Sequence, residues 1–269
     1  DNKIAADLRS RLIAPCAPGN NLCKFQQDAD DADVFTKIIL GPGGKTHKIR
    51  LRVMSSAVSH DDNDNRKIWA TDQKRQSARI FSQFKRSLQN DGVVLYVGHS
   101  RLGTGPGFKP LDVAGWAEAE KNKPVLNEMV ETLQNANKTP QILGMLSCEG
   151  ENYYGHALHK AAPKSSLLLT RQTMSSKDAY KLSEAVLNSL LSRNCKSDFD
   201  NKVQEQVVDI WRVPFSKPKP VQEILPHLYG FFEPITRTFA APKTIPWFEF
   251  PLDTNPGSIR VPGPASTRQ

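Results

Sequence analysis

An α/β fold is predicted: a three-layer sandwich with a mainly parallel sheet, an N-terminal β-hairpin and an extended, proline-rich C-terminal tail. Three observations carry it. Residues 93–97 and 142–146 are short apolar runs with turn residues on both sides, the pattern of strands buried on both faces in a parallel sheet. Strand-like and helix-like stretches alternate from residue 47 to residue 193, the mark of right-handed crossovers. With 269 residues, 38% hydrophobic and 24% charged, the chain can build one large domain with extensions, and disorder throughout is excluded.

Residues 1–33 read as an N-terminal extension: a short helix over 4–12, a polar loop holding Cys16 and Cys23, and an acidic run over 28–33. Extended stretches over 35–40 and 45–56 flank the glycines and proline of 41–44, a hairpin signature. Ile49, Leu51 and Val53 alternate with Arg50 and Arg52, which gives that strand one covered face. His47 and His60 border the region as ordinary surface residues. After a polar loop over 60–65, Thr71 or Asp72 caps an amphipathic helix that runs to residue 88. Its Lys74, Arg75, Arg79 and Arg86 oppose Ile80, Phe81, Phe84 and Leu88, a pattern that a solvated helix face explains without a partner.

The first buried strand follows and ends on His99. The glycine-rich loop 101–108 is too broken by proline to begin a helix. Pro124 suits the first turn of the next helix, whose buried stripe is Val125, Leu126, Met129, Val130 and Leu133. Residues 135–140 end it, and the second buried strand leads to Cys148. A short helix over 153–160, a strand over 166–170 and a helix behind the capping box of 175–178 complete the alternation. One more helix is expected over 203–211. Beyond Pro214 the clustered prolines predict a tail that wraps the domain and frays after Pro256. The implied division is an extension over 1–33, an α/β domain over 34–213 and a tail over 214–269.

No apolar stretch approaches the length of a membrane span. The chain opens on Asp1 with no signal peptide, which suits a mature product whose leader has been removed. Cys16 and Cys23 favour a small disulfide over a metal site, which would want two more ligands nearby, and a disulfide implies an exported protein, periplasmic or extracellular. A net charge of +8 admits an anionic surface as partner, with nucleic acid not favoured. Phosphate-binding patterns fail on inspection. Gly44, Lys45 and Thr46 imitate the end of a P-loop, but Ile39 stands where its first glycine belongs. Gly103, Gly105 and Gly107 lack the third glycine of a dinucleotide fingerprint, which falls on Phe108. No cofactor is implied.

The strongest constellation is His99 with Cys148. Catalytic groups in open α/β sheets gather at the carboxyl ends of parallel strands, so the two face one crevice if their strands are neighbours. A thiol attacks as thiolate, a state that an imidazole or a helix N-terminus favours. The backbone at Ser100, Glu149 and Gly150 would then line an oxyanion site. The main structural alternative is a bridge between Cys148 and Cys195. Gly98, His99 and Ser100 also imitate a nucleophile elbow, so a serine hydrolase using Ser100 with His156, His159 or His227 is a third reading, although Leu102 replaces its second glycine. His156 and His159 have a spacing that can hold a metal, but no zinc signature accompanies them, and no metal is assigned.

A buried strand ending on histidine, a helical connection, and a second buried strand ending on Cys148 and Glu149 resemble the caspase, legumain and gingipain group of cysteine peptidases. Residues 146–150 are closest to the legumain-type cysteine segment, and a separation of about 50 residues between histidine and cysteine is of the size that group uses. The resemblance covers roughly residues 45–195. It implies a caspase-like sheet, His99 as base, Cys148 as nucleophile, and a protein or peptide substrate. Ser100 stands where the group generally has glycine. The alternative is a non-catalytic exported binding or scaffold protein that retains the fold, with Arg101, Tyr153, Tyr154 and the glycine loop lining an interaction crevice.

Overall fold

The computed structural model describes residues 2–40, 44, 46–110, 116–170, 176–192, 203 and 229–232. The chain divides into two compact units, Asp1–Ile235 and Thr236–Gln269, and every described residue lies in the first. The expected helix over 203–211 and nearly all of the tail therefore fall outside the described residues, as do Cys195 and His227.

Helix α1 (Asn2–Ile13) turns Ala5, Leu8 and Leu12 to one side, the three-to-four spacing that makes a buried stripe. They share a core with Leu22, Phe25, Phe35 and Val53. Cys16 and Cys23 form the expected disulfide. Strands β1 (Gln26–Gln27), β2 (Val34–Leu40) and β3 (Thr46–Arg52) make an antiparallel sheet in that order. Lys37 of β2 reaches the cysteine loop, where its ammonium donates to the Asn21 and Cys23 carbonyls at 2.9 and 2.8 Å. Arg9 of α1 donates to the Val53 carbonyl at 2.9 Å and pairs with Asp33 at 2.6 Å. The first 33 residues thus pack as one body with the hairpin.

The polar loop before the long helix holds more structure than its composition suggests. Asp61 caps a short helix α2 (Asp62–Arg66), its carboxylate accepting from Asn63 N–H at 2.7 Å. Buried Asn65 exchanges two hydrogen bonds with the Ser59 backbone, and buried Gln73 accepts from Val58 N–H while donating to the Ser56 carbonyl. These side chains satisfy backbone groups that would otherwise be stranded away from water. Helix α3 (Ala70–Asn90) follows Trp69, which makes no side-chain cap, so Thr71 and Asp72 lie inside the helix rather than capping it. Ile80, Phe84 and Leu88 are buried and Lys74, Arg75, Arg79 and Arg86 lie on the other side, as the periodicity predicts.

Strands β4 (Val93–Gly98), β5 (Ile142–Ser147) and β6 (Ser166–Thr170) are parallel neighbours, and β7 (Tyr229–Phe232) joins β6 antiparallel. Part of the region read as a tail is therefore a strand of the main sheet. Among the described residues β4 is the outermost strand, with Val93 at 42% and Val97 at 37% exposure, not a fully buried central one. An apolar run reports burial of its faces, and it cannot report whether a further strand pairs along its edge.

The crossover helices are α4 (Trp116–Gln134) and α5 (Gly150–Ala161). One sheet face buries Val94, Tyr96, Leu143, Met145, Leu167 and Leu169 against α3, α4 and α5. The other brings Leu95, Gly144 and Leu168 together, where a Cβ on Gly144 would lie 2.5 Å from a Leu95 methyl. Helix α6 (Ser176–Leu191) lies against β4 and β5, while its Tyr180, Leu187 and Leu191 pack on the N-terminal core. Helices, sheet and helix make three layers, with the hairpin body beyond α6. Helix α4 begins eight residues before Pro124, so this proline is interior and not in the first turn. An interior proline lacks an N–H and loosens the turn before it. The glycine loop docks beside it: Asn122 donates to the Gly105 carbonyl at 3.0 Å and Leu126 N–H to the Thr104 carbonyl at 3.3 Å.

Candidate functional site

The strand register builds the site. Gly98 pairs with Ser147 in the parallel β4–β5 ladder, so His99 and Cys148 are the next residue of each strand at the same carboxyl edge. Strand order β4, β5, β6 follows the chain, and α4 and α5 lie on one face. Among the described strands the order does not reverse between β4 and β5, so no topological switch point lies between them. What the edge offers is two backbone positions, His99 and Cys148, at the ends of neighbouring strands.

The Cys148 turn is held from the next strand. Thr170, fully buried at the end of β6, accepts from Ser147 N–H and Gly150 N–H, both at 3.3 Å, and donates to the Ser147 carbonyl. Glu149 takes the left-handed conformation (φ 50°, ψ 37°), which lets α5 start at Gly150, three residues earlier than expected and two positions after Cys148. A non-glycine residue there costs about 1 kcal/mol, and it persists because the surrounding contacts outweigh it. Gly150 is required by close approach, since a Cβ would lie 2.7 Å from the Met145 carbonyl oxygen. Cys148 and Glu149 are half-buried, and Cys148 is outside the Cys16–Cys23 disulfide. Its relation to Cys195 lies outside the described residues.

Two tyrosines hold the His99 turn from beneath. The Tyr96 hydroxyl donates to the His99 carbonyl at 2.8 Å and accepts from Gly107 N–H at 2.7 Å, and the Tyr154 hydroxyl donates to the Ser100 carbonyl at 2.6 Å. Burial pushes both phenols well above their ordinary range, so they stay protonated donors. Arg101 and Leu102 follow in left-handed conformations and a short 3-10 turn over Arg101–Gly103, with no α-helix after Ser100. Ser100 is 5% exposed, and the strand–turn–helix of a nucleophile elbow is not formed around it. The loop glycines serve packing: a Cβ on Gly103 would meet the Tyr153 ring at 2.6 Å, on Gly105 the Leu126 backbone nitrogen at 2.7 Å, and on Gly107 the Arg101 guanidinium at 2.6 Å.

Arg101 is buried and donates to the Lys109 carbonyl, and Tyr154 is inaccessible, so both lie under the surface; Tyr153 is half-exposed beside the Cys148 turn. His156 is exposed and His159 half-buried on α5, and among the described residues no three metal-binding side chains gather. Sequence reasoning missed Thr170, Tyr96 and Asp62. The signal for Thr170 was a polar residue closing an otherwise aliphatic strand.

His99 is exposed, yet desolvation on its protein side lowers its pKa first, followed by the Arg101 charge, while Asp62 of α2 opposes the shift. His159 is lowered by burial and then by His156. Both bind protons less readily folded than unfolded, so their contribution to stability is intact above the ordinary value of 6.5 and is lost as pH falls through it. Denaturant midpoints are expected to drop between about pH 7.5 and about pH 5, and the double variant His99→Gln/His159→Gln to flatten that slope. An unchanged slope would remove these two groups from the account.

No family model, curated protein or solved structure is significantly similar to the chain. What is established is a mixed α/β fold with a parallel three-strand sheet, an antiparallel hairpin sheet and a disulfide. No helix among the described residues is long and apolar enough to cross a membrane.

Proposed function

We propose that the chain is an exported, caspase-like cysteine peptidase acting by acyl transfer through Cys148. The observation that carries this reading is the Gly98–Ser147 pairing, which sets His99 and Cys148 level on adjacent strands. In the proposed reaction His99 takes the thiol proton as sulfur attacks a peptide carbonyl. The amine leaves with that proton, and water hydrolyses the thioester to restore the thiol. Of the expected oxyanion donors, the Gly150 N–H is taken by the buried Thr170 hydroxyl and is not offered to a substrate. Export rests on the disulfide, which oxidising compartments preserve.

A non-catalytic binding protein of the same fold is the second reading, and Ser100 in place of glycine favours it. Iodoacetamide labelling of the native chain separates the two. Rapid labelling of Cys148 near neutral pH, abolished in Cys148→Ala and slowed at least about tenfold in His99→Ala, is expected of the peptidase. Labelling that ignores His99, or that begins only after reduction, would overturn it.

A further inference from the structure

The hairpin carries a feature that the proposed reaction does not use. Along β2, burial declines from Val34 and Phe35, which lie in the core, to Ile38 and Leu40, which are 70% and 68% exposed. The strand thus leaves the core along its length and carries two exposed aliphatic side chains, Ile38 and Leu40, among exposed polar residues of β3. Side chains alternate across a strand, so Thr36, Ile38 and Leu40 share the outer face. Their cross-strand partners on that face are Arg50, Lys48 and Thr46 in turn. Lys48 and Arg50 are both exposed, and neither sits in an ion pair among the described residues, whereas Arg52 at the base is paired with Asp31 at 2.7 Å. The Lys48 charge is thus available beside the aliphatic pair, the Arg50 charge is partly offset by Asp31, and Arg52 is neutralised near the core.

The geometry points to an anionic lipid surface as the partner of this face, with Ile38 and Leu40 entering the boundary between head groups and acyl chains while Lys48 and Arg50 stay at the phosphates. Three arguments select that occupant. Exposed aliphatic side chains gain by leaving water, which a purely ionic partner such as a polyanion would not reward. A second copy would set Lys48 and Arg50 against their own kind. A stable protein interface buries about 800 Å² on each side, far beyond what two aliphatic side chains and two cations provide, whereas insertion into a bilayer surface needs no matching partner. The net charge of +8 adds a longer-range attraction of the same sign.

Co-sedimentation of the full chain with vesicles tests this independently of any peptidase activity. Vesicles of phosphatidylcholine in which part of the lipid is replaced by phosphatidylglycerol are expected to bind at least about tenfold more protein than phosphatidylcholine alone. The double variants Ile38→Ser/Leu40→Ser and Lys48→Gln/Arg50→Gln are each expected to lose most of that binding, with far-UV circular dichroism unchanged because none of the four side chains lies in the core. Equal binding to neutral and anionic vesicles would overturn the proposal. So would full retention of binding by Ile38→Ser/Leu40→Ser, which would mark the face as a site for soluble polyanions instead.

Discussion

Gly150→Ala destabilises the protein by about 2–3 kcal/mol and changes the alkylation rate of Cys148, because the added methyl has nowhere to go. It would meet the Met145 carbonyl oxygen at 2.7 Å, the Thr170 hydroxyl at 3.1 Å and the Thr170 backbone nitrogen at 3.5 Å. Two of these are backbone atoms of β5 and β6 and cannot rotate away, so α5 must lift from the sheet. The same movement breaks the hydrogen bonds through which Thr170 holds Ser147 and Gly150. Gly155→Ala is the control, in the middle of the same helix. Its nearest neighbour would be a Leu169 methyl at an ordinary 3.6 Å, and alanine there stabilises by about 0.5–1 kcal/mol through helix propensity. Urea midpoints of the two variants should move in opposite directions. If Gly150→Ala unfolds at or above the parent midpoint, the close approach of α5 to β5 is wrong.

Tyr154→Ala is expected to cost about 3–5 kcal/mol, the range for emptying a large aromatic site in a packed core. The ring is wholly buried in the main core with Tyr96, Leu158 and the sheet residues, and its hydroxyl reaches across 54 positions of sequence to the Ser100 carbonyl. Tyr154→Phe separates the two contributions. That carbonyl also accepts from Gly103 N–H at 3.0 Å, so removing the phenol leaves it with one donor, and the loss should be about 1 kcal/mol. A Tyr154→Phe loss as large as that of Tyr154→Ala would mean that the hydrogen bond, and not the ring, secures the His99 turn. Equal stability of all three proteins would contradict the burial itself.

The elements are largely legible in the chain, and their boundaries less so. Residues 93–97, 142–146 and 166–170 announce strands through aliphatic runs between turn residues, and α3 announces its two faces through the spacing of Ile80, Phe84 and Leu88. The start of α4 is not legible, because a proline ordinarily opens a helix, while here the glycine loop takes hydrogen bonds from Asn122 and Leu126 on either side of Pro124. Helix α5 starts earlier than the sequence suggests because Glu149 carries a left-handed turn usually left to glycine or asparagine. The cap of α2 and the anchoring roles of Asn65 and Gln73 are hidden in a stretch that looks like plain polar loop.

Composition and periodicity by themselves determined the α/β class, the hairpin, the cysteine loop and the two strand ends that carry His99 and Cys148. Those are local properties, set by side-chain branching, apolar spacing and turn chemistry over a few residues. Only the tertiary structure decided that β4 and β5 are neighbours in a register pairing Gly98 with Ser147, that β4 lies outermost among the described strands, and that Thr170 secures the Cys148 turn. Each of those depends on backbone pairing between segments far apart in the chain. A strand's own residues show how apolar it must be, and they do not name the strand that will lie beside it.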